Sequence, residues 1–412
     1  MSSGPLSPLS SISDLPTELL LEIFTCLRDT CPPCRKLDET KVAIDFGWIA
    51  VTHVCSHWRQ LGIKSASLWS DLSFNLGQRW AKEMLVRAKD VGICFVRDAK
   101  VDGKNLDEFE AAFLWEHFER IRELRLLCYG CNGLEELLRH APRSAAHLRV
   151  LELTPYASMS RNCSAIFQCI IHHNLSLRIL SLSNCSVPWA PEIYSGLTLL
   201  DLNLNMFDGD KFAHNSSEEA VASFCNIFGA LQSAAPSLQS LALGMIAESS
   251  FNGHINNLDA PTVDLPHVSS LKLLGDPCFV ALVLQHLDIP SLSQLEVDCQ
   301  HINWGIRYDL DIHSIISPLK CKIDEISMSP PVTHLHIDQI PGLSLSAYSS
   351  FDTPCRQRKF YICLNDRKYD YYVPWIEAFF SHIHLPALTS LEIQLLDTQP
   401  PTHLQYRTSC TL

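Results

Sequence analysis

The chain has 412 residues, of which 47% are hydrophobic and 19% charged, and a formal net charge of −13 at neutral pH. This is the composition of a packed protein of two or three domains with enough apolar residues for a large core, not of a disordered chain. The acidic balance and the lack of a Lys/Arg run argue against nucleic acid and anionic membrane as partners, because phosphate binding relies on clustered cations.

Residues 1–13 are a Ser/Pro-rich tail without periodicity and read as disordered. They lack the positive start and apolar run of a secretory signal, and no later stretch is long and apolar enough to span a bilayer. An intracellular protein, cytoplasmic or nuclear, is expected. The 17 cysteines follow no disulfide framework and are expected to be free, mostly buried thiols.

A helix is expected from Pro16, which suits a first helical turn, with Glu18 at the positive end of the helix dipole. Leu19, Leu20, Ile23, Phe24 and Leu27 recur at helical spacing and form one broad apolar stripe. A second helix is expected with Trp48, Val51, Val54, Cys55, Trp58 and Leu61 on one face, and a short third around Leu68, Trp69 and Leu72. So few residues make a shallow core, so part of this apolar face needs a partner. Between the first two helices, Arg28 to Gly47 is rich in Cys, Pro and charge. Its close pair, Cys31 and Cys34, has Cys26, His53, Cys55 and His57 as conceivable further ligands, but a structural zinc site takes four ligands at set spacing. We expect a surface loop turned by Pro32 and Pro33, with no metal and no cofactor.

The order Leu15-Pro16-Thr17-Glu18, Ile23-Phe24 with Leu27, Val54-Cys55 with Trp58-Arg59, and Leu68-Trp69 resembles the F-box family. The resemblance covers residues 14–74, with 28–47 as an insertion where the family has a short link. It implies a three-helix module that docks on a Skp-type adaptor of a cullin ubiquitin ligase. It assigns Leu15, Pro16, Leu19, Ile23, Val54 and Leu61 to the adaptor-facing surface, and Phe24, Leu27, Cys55, Trp58 and Trp69 to the module's core. The alternative is an ordinary helical hairpin that caps the next domain.

Over residues 75–396 a Leu-x-x-Leu-x-Leu pattern returns, each copy a short strand with alternate buried positions. Copies start at Ile121, Leu148, Leu177, Leu197, Leu238, Val268, Leu292, Val332 and Leu388. Between them lie amphipathic helix candidates at Leu134–Leu138, Ile166–Ile171, Val221–Phe228, Phe279–Val283 and Trp375–Phe380. Pro236, Pro266, Pro290 and Pro386 each stand just before a strand. The segment resembles leucine-rich repeats, with the full consensus only from Leu177 to Cys185. The expected fold class is therefore α/β, a short helical F-box-like module followed by a leucine-rich-repeat-like solenoid with strands on its inner face. A conventional parallel α/β sheet shares the alternation and stays open as an alternative. Residues 397–412 read as a tail.

No phosphate-cradling loop, nucleophile elbow or zinc-protease helix occurs, so no enzyme is expected. The histidine clusters, His172-His173, His334 with His336, and His382 with His384, read as surface. The solenoid's inner face is the better functional candidate, through Glu152, Ser181, Asp201, Lys272, Glu296, His336 and Glu392, though these could equally be the solvated side of amphipathic strands. The expected function is substrate recognition for a Skp–cullin–F-box ubiquitin ligase, with an unidentified target protein on the repeats. The alternative is a leucine-rich scaffold outside any ligase.

Overall fold

Pro16, with φ −53° and ψ 146°, stands immediately before α1 (Thr17–Thr30), whose Leu20 and Phe24, four residues apart, are its fully buried side chains. The computed structural model describes residues 12, 15–37, 42–99, 106–128, 147–155, 176–183, 191–205, 217–246, 261–275, 277–299, 304–327, 331–338, 343–349, 358–364, 372–394 and 408–411. Of the expected N-terminal tail only Ile12 is among them, and the helix candidates at 134–138 and 166–171 lie outside them.

The segment after α1 differs from expectation. Instead of a plain loop it forms a hairpin, β1 (Cys34–Leu37) paired antiparallel with β2 (Val42–Asp45). Pro32 and Pro33 end the helical run, and a proline immediately before a strand breaks no ladder bond. The hairpin is anchored at its exit. Gly47 has φ +54°, its N–H donates to Asp45 Oδ1 at 2.9 Å, and a Cβ there would lie 2.2 Å from the Cys31 carbonyl oxygen. Only glycine fits that approach.

The second expected helix is split. A 3₁₀ run, Gly47–His53, precedes α2 (Ser56–Lys64), with Cys55 between them as the N-cap in extended conformation. The Cys55 Sγ turns back to accept from the Trp58 N–H at 3.5 Å, and the residue is exposed. Cys55 therefore caps a helix and is not a core residue, because extended backbone at a cap points the side chain at the following turn. The third short helix is a 3₁₀ turn, Ala66–Trp69. Trp69 and Trp48 meet edge to face at 4.9 Å, and Trp69 Nε1 donates to the Gly62 carbonyl at 2.8 Å. Arg28, at the end of α1, donates to the Ser67 carbonyl and pairs with Asp71 at 3.1 Å.

Asp71 opens β3 (Asp71–Leu72), inside the expected module, yet β3 is the edge strand of a 14-stranded sheet. α3 (Gln78–Ala88) leads to β4 (Ile93–Asp98), and α4 (Glu108–Glu116) leads to β5 (Ile121–Cys128). Then follow β6 (Val150–Pro155), β7 (Ile179–Ser183), β8 (Leu199–Asn205), α5 (Ser217–Ala234) and β9 (Ser240–Ile246). From β3 to β9 each strand pairs parallel with the next in sequence. β10 (Val263–Asp264) and β12 (Leu287–Asp288) form a separate small pair flanking β11 (Ser270–Gly275) and α6 (Pro277–His286). β11 and then β13 (Gln294–Cys299) continue the parallel order.

Beyond β13 the simple order ends. After α7 (Trp304–Ser327), β14 (His334–Asp338) does not pair with β13; β15 (Leu343–Tyr348) and β16 (Arg358–Leu364) stand between them. β15 runs antiparallel to both neighbours, so β14 and β16 keep the common direction. α8 (Tyr372–His382) leads to β17 (Ser390–Gln394), parallel to β14, and β18 (Thr408–Thr411) pairs antiparallel with β17. Part of the expected C-terminal tail is thus a strand. β3 and β18 end the sheet without meeting, so it is open and not a barrel.

All nine expected strands are present, and their pairing is in register. Leu124, Leu151, Leu180, Leu200, Leu241, Leu271 and Leu295 align across seven strands, and so do Leu126, Leu153, Leu182, Leu202, Leu243, Leu273 and Val297. All are buried on the face the helices cover. α6 is apolar nearly all round, as a helix enclosed on several sides must be. It packs on β11 and β13 and is covered in turn by α7. One hydrophobic core runs from Phe24 through the sheet to Ile383, so the helical module and the sheet share packing.

This register separates two neighbouring residues. Leu180→Ala is expected to destabilise the protein by about 2–5 kcal/mol, and Ser181→Ala, which removes one half-exposed hydrogen bond, by less than about 1 kcal/mol. Chemical denaturation of the two variants measures both, and equal losses would contradict the facing of β7.

Candidate functional site

Two surfaces combine exposed or half-buried functional residue types. The first is on the helical module. Pro16, just before α1, and Leu19 and Ile23 at helical spacing form the exposed flank of the apolar stripe whose other side is the buried Leu20 and Phe24. Leu19 is 46% exposed, Ile23 38% and Val54 63%, values that leave large aliphatic side chains in water. Leu15 and Leu61 are half-buried, Leu61 against the core. Of the expected core residues, Phe24 and Trp69 are fully buried, while Leu27 and Trp58 are half-buried. Trp58 meets Phe24 edge to face at 5.2 Å. Sequence reasoning missed three further exposed apolar residues, Ile44, Phe46 and Ile63. The alternation of Val42 and Ile44 could have marked Ile44 as a strand residue, and Phe46 follows that strand.

Cys31 is exposed and Cys34 half-buried at the start of β1. Among the described residues no three His, Cys, Asp or Glu side chains are grouped to hold a metal, and no helix is long and apolar enough to cross a membrane.

The second surface is the sheet face that the helices leave uncovered. Because the strands pair in register, the seven expected residues fall in one row across it. The row reads Arg125, Glu152, Ser181, Asp201, Ala242, Lys272, Glu296, Tyr361, Ser346, His336 and Glu392 in strand order from β5 to β17. Lys272 is exposed, and the other six expected residues are half-buried. Neighbours along the row interact: Arg125 pairs with Glu152 at 3.0 Å, Ser181 Oγ donates to Asp201 at 3.2 Å, and Lys272 pairs with Glu296 at 2.8 Å. Arg358 approaches Glu296 at 3.5 Å while its guanidinium stacks on the Tyr361 ring at 4.6 Å. Burial raises the Asp201 carboxyl above its ordinary range; the Ser181 hydroxyl and Lys272 oppose that rise, and Glu152 adds to it. Burial likewise pushes the Tyr361 phenol up and keeps it neutral.

Where small side chains follow one another, at Ser240, Ala242 and Ser270, the face is hollowed into an open cavity of about 870 Å³. Asp201 borders it on one side and Lys272, Glu296 and Arg358 on the other. Arg358 and Tyr361 were not foreseen because β16 lacks the leading leucine of the repeat. Only the alternation of Phe360 and Ile362 points to it. His334 and His336 lie in β14 as expected, with His334 Nδ1 at 2.7 Å from Thr333 Oγ1. His382 and His384 are exposed, and His172 and His173 lie outside the described residues.

An F-box-like family model matches residues 12–75, the stretch that contains α1 through β3. No curated protein matches the chain. The chain thus carries an F-box-like domain at its N-terminal end, joined to a mixed α/β region with a many-stranded sheet. F-box domains generally bind the Skp adaptor of cullin ubiquitin ligases, and the match points to involvement in ligase-type function.

Proposed function

We propose that this chain is a substrate-recognition adaptor of a Skp–cullin–F-box ubiquitin ligase: its N-terminal module binds the Skp adaptor, and a leucine-rich-repeat-like solenoid presents a target protein. The observation that carries this reading is the F-box-like match over residues 12–75 on a module that leaves Leu19, Ile23 and Val54 in water. The sheet contributes the target side through the polar row from Glu152 to Glu392. Such a chain is not an enzyme and works inside the cell, in cytoplasm or nucleus, without a cofactor. It acts by holding a target near a reactive centre on other subunits, which raises the target's effective concentration there.

The test is co-purification of Skp adaptor and cullin with the full chain. Leu19→Ala with Ile23→Ala is expected to weaken adaptor binding by about thirtyfold or more, the scale of lost hot-spot anchors, with the thermal midpoint nearly unchanged because both side chains are exposed. If the wild-type chain retains no adaptor where an established F-box protein does, the reading fails. One observation favours a second reading, a repeat scaffold capped by its helical module. β3 of the module is the edge strand of the large sheet, and terminal caps of repeat proteins shield the core in this way. A chain that folds normally and ignores the adaptor would have that role.

A further inference from the structure

The cavity on the open sheet face has an ordered distribution of charge. At its β8 side stands Asp201, which accepts a hydrogen bond from Ser181, and among the described residues no cation lies within ion-pair distance of it. At its other side two cations, Lys272 and Arg358, both pair with Glu296, and Asp298 stands two residues further along β13. One end therefore carries a carboxylate that Lys272 attracts without forming an ion pair with it, and the other carries two cations that both pair with Glu296. Arg125 and Glu152, the next charges beyond Ser181, already satisfy each other at 3.0 Å. Between the two ends the row holds Ala242, with Ser240 and Ser270 beside it, so nothing fills the space above the backbone.

The dimensions limit what can lie there. Adjacent strands are about 4.8 Å apart, so the five strands from β8 to β16 span about 19 Å, the length of about six extended residues. Asp201 is about 14 Å, three strand spacings, from the Glu296 position where the two cations converge. In an extended peptide, residues four apart point to the same side and are separated by about 13–14 Å. The floor of small side chains leaves room for the peptide's own backbone.

Resting on the reading of this face as the target side, we propose that its occupant is an extended peptide segment crossing the strands. A basic side chain of that segment enters beside Asp201, and an acidic side chain four positions away lies between Lys272 and Arg358. Each end then gains a charge-assisted hydrogen bond, and the two ends together exclude segments of a single charge sign.

The test uses the full chain and fluorescently labelled ten-residue peptides of Gly, Ser and Thr that hold Arg and Glu four positions apart, in each order. Controls carry the Arg alone or the Glu alone. By fluorescence anisotropy, one of the two orders is expected to bind about tenfold or more tighter than either control, with the preference shrinking as salt rises. Asp201→Asn, which keeps an oxygen for Ser181, is expected to reduce that peptide to the affinity of the Glu-only control. Arg358→Ala with Lys272→Ala is expected to reduce it to that of the Arg-only control. Ala242→Trp, which fills the cavity from an exposed face, is expected to abolish binding, with circular dichroism confirming the fold. Binding of no peptide, equal binding of all charged peptides, or an unchanged affinity in Ala242→Trp overturns the proposal. Adaptor retention is measured on the same preparations: if it persists while peptide selectivity fails, this inference alone falls, and its loss overturns the ligase reading instead.

Discussion

Trp69→Ala is expected to destabilise the chain by about 3–5 kcal/mol, the cost of deleting a fully enclosed large aromatic. Its indole has no solvent exposure and packs edge to face on Trp48 at 4.9 Å, with the Arg87 guanidinium over the ring at 4.3 Å. Its N–H also satisfies the carbonyl of Gly62, itself buried, so truncation leaves both a cavity and an orphaned acceptor. The loss should not stay local. Trp69 is in the same core as Leu72 of β3 and Met84 of α3, so the edge of the sheet loosens with the module. Denaturant unfolding measures the loss, with Trp58→Ala as the comparison. Trp58 is half-buried and should cost clearly less; equal losses would contradict the ranking.

Glu110→Ala is expected to cost a similar amount, about 3–5 kcal/mol, for an electrostatic reason. Arg97 in β4 donates to both oxygens of Glu110 in α4, at 2.9 Å and 3.2 Å, and both side chains are only 3% exposed. Glu110 also accepts from the Asp107 N–H, while Asp107 Oδ1 accepts from the Glu110 N–H, a reciprocal cap at the start of α4. Truncation strips a buried guanidinium of its two-point carboxylate and removes half of that cap. Replacing both partners together, with Arg97→Met and Glu110→Leu, should recover much of the loss, since the burial cost of the two charges goes with them. A double-mutant cycle read by urea unfolding measures the coupling. Independent, additive losses would show that the pair is not the source.

Local chemistry was enough to read the helix after Pro16, the buried Phe24 and Trp69, and all nine repeat strands. Each depends on short-range rules, helical spacing in one case and strict alternation in the other, that any strand neighbour leaves intact. The same alternation made Glu152, Ser181, Asp201, Lys272, Glu296, His336 and Glu392 legible as one class of position, because a period of two puts them opposite the leucines. Their union into a single row was not legible. It depends on register between strands up to 65 residues apart in the chain, from Leu295 to Phe360, which only pairing decides. Cys55 read as core because its spacing fits a continuous helix, and the cap geometry that breaks that helix turns it outward. The segment 28–47 read as a loop because its prolines and charges mask a weak strand signal in Val42 and Ile44. Gly47, packed against the Cys31 carbonyl, holds it as a hairpin. β15 and β16 were not among the nine expected strands, and their insertion between β13 and β14, and with it Arg358 and Tyr361, came from long-range pairing alone. The composition and periodicity of this chain determine its principal strand, helix and core positions. Which polar residues become neighbours was decided by the tertiary structure, because contact between distant segments depends on strand order and register, and local periodicity carries neither.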